Sequence, residues 1–127
     1  MTEKPLALVV DDDLSLGEMF GMAFELAGFD TEVIHDGRLT IERMSARKPA
    51  LVSLDMQMPH MTGAEVLRQI RADARFKGVK VMMITANGRA AEEATVRELA
   101  DIILIKPVTL SQIKEFATRL THGKKED

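Results

Sequence analysis

The feature that most constrains this chain is an alternation. Short apolar runs change places with segments whose apolar residues recur at helical spacing. Residues 6–10 read Leu-Ala-Leu-Val-Val, residues 50–54 Ala-Leu-Val-Ser-Leu, residues 79–84 Val-Lys-Val-Met-Met-Ile and residues 102–105 Ile-Ile-Leu-Ile. Such continuous runs predict strands buried on both faces. Residues 31–34 are a more polar version and predict an edge strand. Between the runs, Leu16, Met19, Phe20, Ala23, Phe24 and Ala27 form a stripe at steps of three and four. Val66, Leu67 and Ile70 form another, and Ile113, Phe116, Ala117 and Leu120 a third. Residues 38–47 read as a helix with Ile41 and Met44 inward, and residues 90–98 as one with Ala94 and Leu99 inward. Ser15 with Glu18, Thr62 with Glu65 and Thr109 with Gln112 fit the capping-box spacing at helix starts.

Strand followed by helix, five times over, implies a parallel sheet covered by helices on both faces, with right-handed crossovers. Five strands and five helices fit an α/β, three-layer, flavodoxin-like fold with strand order 2-1-3-4-5. A chain of 127 residues is one domain. We assign residues 1–122 to it and residues 123–127 to a polar tail. Gly17 and Gly21, four apart on the first helix, suit close packing on the sheet better than pairing in a membrane.

Composition removes several functions. The net charge of −3 gives no basic field for nucleic acid or an anionic membrane surface. With no cysteine, disulfides, thiolate zinc sites and cysteine nucleophiles are excluded. No apolar run approaches the roughly 18 residues of a bilayer span. The apolar run after residue 5 is too short for a signal peptide. The expected location is the cytoplasm.

Chemistry gathers where the strands end. The first ends in Asp11-Asp12-Asp13, the third in Asp55, the fourth in Thr85 and the fifth in Lys106-Pro107. In order 2-1-3-4-5 the first and third strands are neighbours about 4.8 Å apart. Asp11 or Asp12 then approaches Asp55, at the edge where such sheets bind ligands. Crowded carboxylates raise one another's pKa. A hard divalent cation relieves the repulsion, and an oxygen-only site suits Mg²⁺. An aspartate beside Mg²⁺ can attack phosphorus, with Lys106 and the Thr85 hydroxyl serving the phosphoryl oxygens. A lone aspartate after a strand is more often a turn or cap residue. Four such groups at four strand ends point to a site.

Val9-Val10-Asp11-Asp12, the run from Leu54 to Gly63 (Asp-x-x-Met-Pro-x-Met-x-Gly from Asp55), Ile84-Thr85-Ala86 and Ile105-Lys106-Pro107 resemble the response-regulator receiver domain of two-component signalling. The resemblance spans about residues 6–121. It implies that Asp55 accepts a phosphoryl group from a phosphohistidine on a histidine kinase or histidine phosphotransfer protein. It implies that Asp11, Asp12, Asp55 and the backbone carbonyl of Gln57 hold Mg²⁺, with Mn²⁺ as the alternative ion. Thr85, with Ala86 beside it, and Lys106 would meet the phosphate, and Lys106-Pro107 would be cis. Gln57 and Asn87 would set the lifetime of the phosphorylated state. The domain would catalyse only its own phosphorylation and dephosphorylation, and its output would be contact with a downstream protein or onward transfer.

Two departures stand out. Ile103 occupies the position where the family usually carries the Tyr or Phe of its switch, and Val108 follows Lys-Pro where Phe is frequent. Both readings of them stay open: packing against the loop, or a docking or homodimer face through the fourth helix, fifth strand and fifth helix. Ile103 also motivates an alternative function, a phosphorylation-independent receiver-like interaction module. A Mg²⁺-dependent phosphatase fits less well, because position 57 is Gln and no cap insertion is present. A flavin carrier fits least, with no glycine-rich strand-helix loop and no Tyr or Trp. His35, His60 and His122 are spread over separate loops or ends and suggest no metal site.

Overall fold

In the computed structural model, which describes residues 3–122, the five runs pair into one parallel sheet. The strands are β1 (Leu6–Val10), β2 (Asp30–Ile34), β3 (Leu51–Asp55), β4 (Lys80–Thr85) and β5 (Ile102–Ile105). Their order is β2-β1-β3-β4-β5, as the alternation predicts. The helices are α1 (Leu14–Leu26), α2 (Thr40–Ala46), α3 (Gly63–Ala72), α4 (Gly88–Ala91), α5 (Ala94–Leu99) and α6 (Leu110–His122). Short 3₁₀ turns lie at Gly37–Leu39 and Ala74–Phe76. The expected tail, 123–127, lies outside the described residues.

Strand side chains alternate between faces, and two cores follow. Ala7, Val9, Met82 and Ile84 meet Phe20, Ala23 and Phe24 of α1 and Ile113 and Ala117 of α6. Leu8, Val10, Val52, Leu54, Val81 and Met83 meet Met44 of α2, Val66, Leu67 and Ile70 of α3, and Val96 of α5. The sheet is therefore the middle of three layers.

Gly17 and Gly21 let α1 approach β2. A Cβ at Gly17 would stand 2.9 Å from Val33 Cγ1, and one at Gly21 3.3 Å from Val33 Cγ2. The far end of α1 closes on Gly28 at φ +100. The Gly28 N–H donates to Glu25 O at 3.0 Å and the Phe29 N–H to Phe24 O at 3.1 Å. That is a Schellman closure, and the Phe24 and Phe29 rings pack edge to face across it.

Four expectations are corrected. The Asp13 side chain accepts the Leu16 N–H, so α1 begins at Leu14 and Ser15 with Glu18 is not its cap. The helix expected over 90–98 is two short helices, interrupted where Glu93 turns extended. Val96 is its buried residue, whereas Ala94 is exposed. β3 and β4 each begin one residue after the apolar run does, at Leu51 and Lys80, and end at Asp55 and Thr85 as expected. β5 is an edge strand and only half-buried, despite its apolar composition. Among the described residues no helix is long and apolar enough to cross a membrane.

Candidate functional site

Strand register decides which side chains meet. Val10 pairs with Leu54, so the next residues, Asp11 and Asp55, leave the sheet at the same level. Asp55 pairs with Ile84, and Thr85 pairs with Ile105, one residue before Lys106. Carboxylate oxygens of Asp11, Asp12 and Asp55 all lie within 4.8 Å of one another. The Lys106 ammonium reaches Asp55 Oδ1 at 3.5 Å.

The surroundings leave these carboxylates poorly satisfied. Asp11 is 1 % exposed and Asp55 7 %. Asp11 Oδ1 accepts the Asp13 N–H at 2.9 Å, but its Oδ2 is buried without a partner. Asp55 Oδ1 accepts the Gln57 N–H at 3.4 Å and the Lys106 ammonium at 3.5 Å, both near the outer limit of a hydrogen bond. Burial pushes the Asp55 carboxyl up to about 6, the Asp11 charge adds to the rise, and Lys106 and the Gln57 N–H oppose it. Burial also raises Asp11, against the Asp13 N–H and Lys106. An orphaned buried carboxylate oxygen, two further carboxylates within reach and no sulfur or imidazole donor make a set that fits a hard divalent cation.

The loops that hold these groups are tight. The Met56 N–H continues the ladder to Ile84 O at 3.2 Å, and the Gly63 N–H returns to Met56 O at 2.9 Å. A Cβ on Gly63 would stand 2.5 Å from Asp55 O and 2.8 Å from Met56 Cα, so only glycine closes this loop. Within it, the Met61 N–H donates to Pro59 O at 2.8 Å across His60, whose φ is 72. That geometry is a γ-turn. Thr62 and Glu65 then form a reciprocal capping box at the start of α3.

Across the site, Thr85 is buried at the end of β4. Its hydroxyl accepts the Asn87 N–H at 3.0 Å and lies 3.4 Å from Asn87 O, so its own loop holds it. Asn87 spends its side chain on the Arg89 N–H as the cap of α4. Ala86 and the Gln57 side chain are exposed. The Lys106 N–H donates to Thr85 O at 2.8 Å, and the Lys106–Pro107 peptide bond is cis. Ile103 and Val108 are half-buried, Ile103 against the α3 and α5 core and Val108 against the α1 and α6 core. The exposed apolar residue of β5 is Ile105, at 53 %, which sequence reasoning did not single out. It also missed His35, whose ring Nδ1 lies 2.9 Å from the Asp11 carbonyl oxygen. No local pattern signals that contact, which spans 24 residues.

Comparison with known proteins agrees with this geometry. The family described as "Response regulator receiver domain" matches residues 7–118. The DNA-binding response regulator MtrA of Mycobacterium bovis is 39% identical over 107 residues, which is 84% of this chain and 46% of that protein. A transcriptional regulatory protein CpxR homolog of Haemophilus influenzae is 39% identical over 101 residues, 79% of this chain and 43% of its own length. The chain thus spans less than half the length of these curated relatives. Among solved structures, the response regulator protein TrrA of Thermotoga maritima, in complex with Mg²⁺-BeF, superposes with a TM-score of 0.82 at 25% identity. That match covers 91% of this chain and 98% of TrrA. A CheY-like receiver domain from Methylobacillus flagellatus gives 0.84 at 24% identity over 93% of this chain and 99% of its own, a likeness of fold.

Proposed function

The chain belongs to the response-regulator receiver family, and on that premise we propose that Asp55 is its phosphoacceptor. The observation that carries this reading is the convergence of Asp11, Asp12 and Asp55, with the Lys106 ammonium 3.5 Å from Asp55. The phosphoryl donor is a phosphohistidine on a histidine kinase or histidine phosphotransfer protein. An Asp55 carboxylate oxygen attacks phosphorus, and the P–N bond breaks. The electron pair returns to the imidazole nitrogen, and an acyl phosphate remains on Asp55.

Each residue has a task in this reading. The sheet edge holds Asp55 at a fixed level and keeps bulk water from most of it. Lys106 neutralises charge on a phosphoryl oxygen. Asp11, Asp12, Asp55 and the Gln57 backbone carbonyl hold Mg²⁺ or Mn²⁺, which when bound supplies charge neutralisation that a lone lysine cannot. Thr85 and Ala86 meet the phosphoryl oxygens from the β4 side, and Gln57 and Asn87 flank the path of hydrolytic water. The domain works only on its own aspartate. A downstream protein reads the result.

Phosphate trapping from labelled acetyl phosphate in Mg²⁺ tests this. Wild type is expected to label, Asp55→Asn to fall to background, and Asp13→Asn to label as wild type, since asparagine serves equally as a helix cap. Label on Asp55→Asn would overturn the assignment. A second reading, a phosphorylation-independent interaction module, draws support from Ile103, an aliphatic side chain half-buried against the core. Equal partner affinity with and without beryllofluoride would favour it.

A further inference from the structure

His35, the first residue past β2, reaches across to the end of β1. Its Nδ1 lies 2.9 Å from the Asp11 carbonyl oxygen. A carbonyl only accepts, so Nδ1 carries a proton and donates it. The neutral Nδ1–H ring and the imidazolium both do so, and the bond needs no particular charge state. The ring lies beside α1: a Cβ on Gly17 would stand 3.5 Å from His35 Cε1, an ordinary van der Waals contact.

The bond falls at a sensitive point. The Asp11 N–H is already held by Ile34 O at 3.1 Å. The Asp11 carboxylate is held by the Asp13 N–H at 2.9 Å. The Asp11 carbonyl belongs to the peptide that joins Asp11 to Asp12, and a peptide is a rigid plane. Fixing that oxygen fixes the direction in which the backbone, and with it Asp12, leaves the strand. Asp12 is exposed, unlike Asp11 and Asp55, so packing does not aim it. We propose that His35 is a positioning residue for the divalent-cation site, its Nδ1–H locking the Asp11–Asp12 peptide so that the three carboxylates converge.

This inference rests on the reading that those carboxylates take Mg²⁺. Mg²⁺ titrations of the full chain, followed by amide shifts, test both. His35→Ala removes the donor from an exposed position and leaves the core alone. His35→Asn keeps an N–H donor on the atom that corresponds to Nδ1. His35→Ala is expected to weaken Mg²⁺ binding about tenfold, and His35→Asn to stay within about twofold of wild type, as for groups that orient metal ligands from behind. Wild-type affinity in His35→Ala, or equal loss in both variants, overturns the positioning role while leaving the metal site standing. No saturable shift in wild type overturns the metal site and the inference together.

Discussion

The two ends of the sheet each carry an aspartate paired with a cation, and they are built to opposite specifications. At the N-terminal end, Asp101 Oδ2 accepts the Val81 N–H and an Arg71 N–H, each at 2.8 Å. The remaining Arg71 donors reach Leu99 O at 3.0 Å and Val79 O at 2.8 Å. One guanidinium thus ties α3 to the starts of β4 and β5. At the C-terminal end, Asp55 has two contacts at 3.4 and 3.5 Å, and Asp11 Oδ2 has none. Opposite charges with full hydrogen bonding hold a structure together. Like charges with an unmet oxygen hold a place for something else. A carboxylate marks a functional site when its neighbours fail to satisfy it.

The contrast can be broken from either end. Arg71→Ala should be the largest loss. It removes the hydrogen bonds to the Asp101 carboxylate and to two carbonyls, and is expected to lower stability in urea by about 3 kcal/mol, at about 1 kcal/mol for each bond. Phosphate labelling of the folded protein should be unchanged. A drop in labelling as large as that in stability would mean that the two ends are coupled.

The pH dependence probes the other end. Asp55 titrates near 6, above its unfolded value near 3.8, so the folded state binds the proton more tightly. Without metal, its contribution to stability is fully present below about pH 4 and is lost as pH rises through 6. The expected loss is about 2 kcal/mol, somewhat under the full value of that shift at about 1.4 kcal/mol per unit. Denaturation of Asp55→Asn across pH 4–7 should show a flatter slope, and an unchanged slope would remove the crowding argument. The smallest effect is expected from Asp13→Ala, about 1 kcal/mol from a lost helix cap. That change touches the acidic edge and destabilises, whereas removing the Asp55 charge stabilises.

The residues of the acidic edge were readable because each stands at the end of an apolar run, and because strand-helix alternation fixes the order of the strands. Asp55, Asp11, Asp12 and Lys106 needed no more than that. The start of α1 was not readable, since Asp13 and Ser15 compete for one helix end and only the three-dimensional turn decides between them. The half-burial of β5 was hidden by its apolar sequence, which serves both cores from the sheet edge, Ile102 and Leu104 packing against one and Ile103 against the other. The break before α5 was hidden because helices this short take their stability from packing rather than from local preference. Arg71 with Asp101, and His35 with Asp11, are contacts across 30 and 24 residues that no local pattern announces.

The hold of the Asn87 backbone on the Thr85 hydroxyl has a mechanical consequence. Any swing of that hydroxyl toward Asp55 must first release the Asn87 N–H, at a cost of about 1 kcal/mol. Asn87 is also the cap of α4. The resting arrangement thus acts as a detent, so that a weak or passing visitor leaves the start of α4 undisturbed while a firmly bound charge can trip it.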